Sequence, residues 1–333
     1  MKVISVIVIF SLVSWFMVRV PHLTAYVHTV KSLYPIPVSG NVFGHEREID
    51  DSELQKRVKD AATKYSEPPI DARIDQVWQA IPGYNGLVVD EERTLQLARE
   101  RGGTKPLQLV FREMPPRIQL EDLPAQPIYR GNEHKPMVAL MINVAWGTEY
   151  LRPMLDILEQ ENVQATFFLD GSWLAKHPEE GRLLVERGHE IGNHAYHHPQ
   201  MSQLTAHKVR QEIEQTEYLI ESTLGVNSRY FAPPSGDFNE QVVCIAADLG
   251  LYTVLWTADT VDWRPSSTPQ IMVQRVSKQL GNGTLILMHP TDRTVEALPE
   301  IIQTIKKREL KLGTVAEVLS EKRISSIEAV SPF

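Results

Sequence analysis

Between Met137 and about Leu319, short apolar runs alternate with stretches whose apolar residues recur every three or four positions. This alternation predicts a parallel α/β architecture that carries its chemistry at the C-terminal ends of its strands. Val138 to Ile142 is an apolar run that empties into Asn143-Val144-Ala145-Trp146-Gly147. Leu151 to Gln160 has the pattern of an amphipathic helix, and Ala165 to Leu169 that of a second buried strand. Leu183 to Arg187 closes a helix that Gly188 stops, and Glu190-Ile191-Gly192-Asn193 then leads into a histidine-rich segment. Val209 to Leu224 predicts a long helix ended by Gly225. Tyr230 to Pro234, Tyr252 to Trp256 and Leu285 to Met288 read as three further strand ends, each delivering polar or special residues.

Upstream the pattern changes. Asp51 to Tyr65 predicts a charged helix with Leu54, Val58, Ala61 and Ala62 on one side, stopped by Pro68-Pro69. Val77 to Ile81 and Leu87 to Val89 read as strands on either side of the turn Pro82-Gly83-Tyr84-Asn85-Gly86. Glu91 to Arg101 predicts a helix and Leu107 to Phe111 a strand, and Pro115-Pro116 with Pro124 to Pro127 marks a linker. This small α/β module shows no chemistry, and a spacer or partner-binding role suits it. Before it, Lys2 precedes an apolar run from Val3 to Val18, the length of a signal-peptide core or a short membrane anchor. No small-x-small cleavage site is clear, which favours an uncleaved anchor. The expected division is 1–32 for this segment, 33–129 for the module and linker, 130–322 for the main domain and 323–333 for a tail.

Composition narrows the partners. A net charge of −8 with no basic run argues against nucleic acid. Cys244 is the only cysteine, so no intrachain disulfide can form. Its neighbours Val242, Val243, Ile245 and Ala246 predict a buried, inert thiol.

The densest candidate chemistry lies between His189 and Pro199, where His189, His194, His197 and His198 crowd together. His194 and His198 stand four apart, which on a helical turn would put both imidazoles on one face, where one divalent metal could bridge them. The spacing fits two surface histidines equally well, and a third ligand must come from elsewhere. His197 would point off the shared face.

A succession of segments now stands in order: Val138-Ala139-Leu140, Ala165-Thr166-Phe167-Phe168, Gly188 to Pro199, Phe231-Ala232-Pro233-Pro234-Ser235-Gly236, Trp256 to Trp263, and Leu287-Met288-His289. It resembles the polysaccharide deacetylases of the NodB-homology class, carbohydrate esterase family four, in a sporulation-type member with degenerate catalytic motifs. The resemblance implies a distorted (β/α) barrel. It also implies a hydrolase that removes acetyl groups, chiefly from carbon-nitrogen bonds, of peptidoglycan or a chitin-like glycan with zinc or another divalent metal. His194 and His198 match the metal histidines, His289 the general acid, and Asp262 the carboxylate that orients that acid. Pro234, Ser235, Trp263 and Leu287 match residues of the acetyl pocket. The implied partner is an acetylated glycan at the bacterial cell envelope, outside the cytoplasm, with membrane contact through the N-terminal segment.

The departures are as informative. Asn143 stands where the family has its base aspartate, and an amide does not accept a proton at neutral pH. Val144 stands where the metal aspartate is expected, which weakens the metal site, although some sporulation-type members also replace it. Ala232 replaces the arginine that pairs with the base, and a buried arginine without its carboxylate would be an uncompensated charge. Ser235 for tyrosine is milder, because that residue's expected contribution is a backbone N–H. Asp259, Asp237 and Glu149 are the other carboxylates that could supply a base. Two readings follow: an impaired deacetylase, or a non-catalytic glycan- or partner-binding protein on the same scaffold.

Overall fold

The computed structural model describes residues 50–103 and 106–324. Asp50 caps the first helix, α1 (Asp51–Tyr65), which buries Leu54, Val58 and Ala62. Strand β1 (Arg73–Asp75) pairs antiparallel with β2 (Gln79–Ile81). Strand β3 (Gly86–Val89), helix α2 (Glu91–Glu100) and strand β4 (Phe111–Met114) follow, and β4 pairs antiparallel with β3. The helices agree with the sequence pattern, but the strands differ in two ways. The Asp75 carboxylate accepts from the N–H groups of Val77 and Trp78, folding those residues into a turn and leaving Val77 exposed. The run expected from Leu107 starts instead at Phe111, because Val89 of β3 takes Phe111 as its partner.

The larger body alternates strand and helix. Its elements are β5 (Met137–Val144), α3 (Thr148–Gln160), β6 (Thr166–Leu169), α4 (Gly171–Lys176), α5 (Pro178–Glu186), β7 (Glu190–Asn193) and α6 (Ala206–Leu224). Then come β8 (Tyr230–Phe231), α7 (Glu240–Asp248), β9 (Tyr252–Thr253), β10 (Ala258–Asp259), α8 (Pro269–Gln279) and β11 (Leu285–Met288). Helix α9 (Asp292–Lys307), β12 (Lys311–Gly313) and α10 (Val315–Leu319) end the series. The strands form one parallel sheet in the order β10-β11-β5-β6-β7-β8-β9, curled into a partial barrel. β12 shares an edge of β5 with β6: it pairs with Met137 to Ala139, while β6 pairs with Met141 to Val144. The expected distorted (β/α) barrel is therefore the observed architecture.

Strand parity sets the site. All eight residues of β5 are buried, as a strand covered on both faces requires. Val138, Leu140, Ile142 and Val144 join the outer core under α3, α8 and α9, whereas Met137, Ala139 and Met141 join the inner core. The same alternation puts Phe167 and Leu169 outside and Phe168 inside. Each buried aliphatic side chain contributes about 1.5–3 kcal/mol, so the parity is strongly held and a one-residue slip is excluded.

Two sequence expectations need separate mention. Cys244 is exposed, not buried: on α7 the four neighbours named above face the core and Cys244 falls between them on the outer side. The apolar run Val3 to Val18 lies outside the described residues, and among those described no helix is long and apolar enough to cross a membrane.

Candidate functional site

Loops leaving the C-terminal ends of β5, β7, β8, β10 and β11 carry the predicted residues to one end of the barrel. The backbone there is strained. Among the described residues seven non-glycine residues have positive φ, and Ala195, His198, Ser235 and Val261 belong to these loops. Val261, a β-branched residue at φ 55°, is a genuine outlier of the kind that collects at functional sites.

His194 follows β7 and is 1% exposed. Its Nδ1 lies 2.7 Å from the Ala232 carbonyl oxygen, which can only accept, so Nδ1 carries the proton and Nε2 keeps its lone pair. Burial first, then His198, drives its pKa down to about 3, and the ring is neutral under ordinary conditions. The His198 ring lies 5.1 Å from that of His194, centre to centre. The expected helical turn is absent: His194 ends a strand and the loop returns His198 beside it through left-handed conformations at Ala195 and His198. His197 points away and lies 2.8 Å from Glu212 Oε1.

His289 and Asp262 form the best-ordered pair of the mouth. His289 Nδ1 lies 2.8 Å from Asp262 Oδ1, and Asp262 Oδ2 accepts from the His289 N–H at 2.6 Å and from Thr294 Oγ1 at 2.7 Å. Asp262 is fully buried, and Arg293 donates to its carbonyl at 2.7 Å. Trp146 lies almost parallel to His289, at 5.7 Å and 8°. Gly147 allows that approach: it sits at φ 77°, and a Cβ there would collide with the Pro290 carbonyl oxygen.

The other predicted residues are dispersed in kind. Asn143 is buried on the inner face, and its Oδ1 has no hydrogen-bond partner. Val144 faces the outer core. Ala232 is buried, Pro234 is buried and Ser235 is exposed. Leu287 is buried, while Trp263 is 49% exposed with the Arg264 guanidinium 4.6 Å over its ring. Of the alternative carboxylates, Asp237 is committed to Ser202, whose N–H and Oγ donate to it at 2.7 and 2.8 Å, and Glu149 is exposed. Asp259 is raised by burial, with Asp262 adding to the rise, and accepts from the Val261 N–H.

Among the described residues, no three His, Cys, Asp or Glu side chains converge closely enough to hold a metal as they stand. Two imidazoles are present, and the position expected to add a carboxylate holds Val144, so the residues singled out from the sequence do not complete a metal centre. One further side chain was not foreseen. Asp170 follows β6, is 2% exposed, and caps α4 by accepting from the Trp173 N–H at 2.8 Å and Ser172 Oγ at 2.6 Å, both through Oδ1. Its Oδ2 has no partner. Burial raises its pKa, opposed by these hydrogen bonds and by the charge of His198. The signal was the lone acid closing an apolar strand. A cavity of about 280 Å³ lined by Leu120, Arg229, Tyr252 and Thr253 contains none of these residues.

Comparison with known proteins adds to this geometry. The family model for polysaccharide deacetylase matches residues 130–254. The uncharacterized protein YlxY of Bacillus subtilis is 45% identical over 271 residues, 81% of this chain and 85% of that protein. A peptidoglycan-N-acetylglucosamine deacetylase of Bacillus cereus is 31% identical over 203 residues, 59% of this chain and 72% of that protein. Among solved structures, a carbohydrate esterase family four pseudoenzyme from Bacillus anthracis superposes with a TM-score of 0.75 at 41% identity, covering 82% of this chain and 96% of that one. A mutant of that pseudoenzyme described as having restored enzymatic activity gives the same TM-score at 40% identity, covering 81% and 99%.

Proposed function

The chain belongs to the polysaccharide deacetylase family, and from that premise we propose that it engages acetylated peptidoglycan outside the cytoplasm with impaired turnover. The observation that carries this reading is Asn143: a buried amide whose oxygen has no partner, in a strand position where the family's chemistry needs a base. The reading is supported by the pseudoenzyme likeness and by the peptidoglycan deacetylases among the relatives. The family model's match starting at residue 130 supports reading 130–322 as the main domain.

The residue roles follow from this reading. His289, oriented by Asp262, is the acid that would protonate a leaving amine. His194 and His198 are the imidazole ligands for a divalent metal of the zinc type, which when bound would polarise the acetyl carbonyl. Pro234, Ser235, Trp263 and Leu287 wall the acetyl pocket. The Asn143 amide cannot take the proton of an attacking water, and loss of a general base costs about 10²–10⁴ in rate. Ala232 fits that loss, because an arginine there would lack its carboxylate.

Acetate release from N-acetylated peptidoglycan fragments, with zinc added, tests the proposal on the wild type and on Asn143→Asp/Ala232→Arg. A rise of at least 10²-fold in the double variant is expected from the general-base contribution. Wild-type turnover equal to the double variant would refute impairment and direct attention to Asp259. Absence of both turnover and glycan binding in either protein would refute the substrate.

A further inference from the structure

The loop that leaves β7 has two sides, and the site described above uses only one of them. His194 and His198 lie ring beside ring at the mouth, whereas Tyr196 and His197 come out on the flank next to α6. There, with Glu214, Gln215, Tyr218 and Leu219 of α6, they line an open depression of about 490 Å³. Positions 214, 215, 218 and 219 share one face of the helix, because residues four apart stand one above the other. Tyr218 is 70% exposed, so a large ring stands in water at a concavity that a second ring, Tyr196, also lines.

The half of the depression that the loop supplies is firmly built. The Glu212 carboxylate, itself only 12% exposed, accepts from the Tyr196 and His197 N–H groups through Oε2 at 3.0 and 2.8 Å. Its Oε1 lies 2.8 Å from His197 Nδ1, and the Ser172 N–H donates to the Tyr196 carbonyl at 2.8 Å. The Tyr196 ring lies so close to Gly171 that a Cβ there would meet it, and it packs edge to face with His197, 4.5 Å between centres. Glu214 is held loosely by comparison: Arg210 comes within 3.7 Å of it but makes its closer contact, 3.2 Å, with Asp248. A single exposed ring needs no explanation, but two rings, a carboxylate and an amide around one preorganised concavity do.

The lining selects the occupant. The face of an aromatic ring is electron-rich and attracts the weakly positive C–H groups on the flat side of a pyranose, while Glu214 and Gln215 offer an acceptor and an amide to its hydroxyls. Six lining residues are few for a protein partner, whose interface takes about 20–30 residues a side and is depleted in glutamate. Two carboxylates, Glu212 and Glu214, repel an anionic ligand such as the stem-peptide carboxylates of peptidoglycan. We infer that this depression is a second glycan subsite, which takes an uncharged N-acetylhexosamine unit beyond the mouth with Tyr218 as its stacking platform. It presupposes the glycan engagement proposed above and extends it along the polymer.

The test is calorimetric titration of the full chain with β-1,4-linked N-acetylglucosamine oligomers of increasing length. Wild-type affinity should rise with length, and Tyr218→Ala should bind the longest oligomer about fivefold more weakly or worse while binding the shortest as the wild type does. Tyr218→Phe keeps the ring and should restore wild-type affinity, whereas Trp263→Ala at the mouth should weaken short and long oligomers alike. All three replace exposed side chains and should fold. Equal affinity of wild type and Tyr218→Ala for every oligomer would overturn the second subsite and leave the proposed function standing. No binding of any oligomer by the wild type would overturn both. An effect of Tyr218→Ala confined to self-association, read by sedimentation, would give the surface to a second copy of the chain and overturn the subsite.

Discussion

On the β11 side of the barrel mouth both carboxyl oxygens of Asp262 are occupied, and a ring stacks on the histidine they hold. On the β5 side the Asn143 amide oxygen has no partner and the next residue, Val144, faces the outer core. The two sides belong to one sheet and one family. On the proposed function, their difference is that between a base and an arginine, which can leave together without leaving a charge behind, and Asp262, which cannot leave without stranding the groups that donate to it.

The largest effect should come from breaking the intact side. Asp262→Ala strips His289 and Thr294 of a buried acceptor and should lower the unfolding free energy by about 3 kcal/mol, measured by urea titration. A loss below about 1 kcal/mol would mean that the network is ornamental. Rebuilding the other side should have a smaller effect with a distinctive sign. Asn143→Asp alone should destabilise the metal-free protein, Ala232→Arg alone likewise, and the two together should recover about 2 kcal/mol of coupling in a double-mutant cycle. Additive losses would show that the two positions no longer meet.

The histidines give a pH test. Burial holds His194 at about 3 and His189 at about 4, so both stay neutral in the fold. The unfolded chain takes up protons below about pH 6.5, so their contribution is complete above that pH and is lost as the pH falls towards 4 and then 3. Each histidine should add up to about 1.4 kcal/mol per pH unit to that slope. His194→Asn, which keeps a donor for the Ala232 carbonyl, should flatten the decline seen by unfolding at pH 7 and pH 5. An unchanged slope would contradict the neutral ring. The smallest effect is expected from Trp146→Ala, about 0.5–1 kcal/mol, because the ring is 44% exposed and its stacking on His289 is its main contact of interest.

Much of this was legible in the chain because parity and punctuation are local. The run through Val138 to Ile142, the stop at Gly188 and the end of the long helix at Gly225 all fall where hydrophobic spacing puts them. What escaped depends on distant partners. Phe111 starts its strand because Val89 selects it, and Cys244 is exposed although its flanking residues are apolar, because a helix turns about 100° per residue. The histidine pair was read as a helical spacing, yet a strand end and two left-handed residues produce the same proximity. Asp170 was hidden for another reason: a single acid after an apolar strand reads as a helix cap, and only the fold shows that its second oxygen is buried without a partner.

The position of β5 also bears on how the chain is made. It is the earliest barrel strand to emerge during synthesis, yet its partners on one edge are residues 285–288 and part of its other edge waits for residues 311–313. At about 5–20 residues per second the ribosome needs roughly 7–28 s to travel from Val144 to Leu285. Throughout that interval a fully buried strand, apolar but for Asn143, has an unpaired edge, the kind of surface that pairs with the wrong neighbour. Translation speed and chaperone supply, as much as equilibrium stability, will therefore set the yield of folded protein.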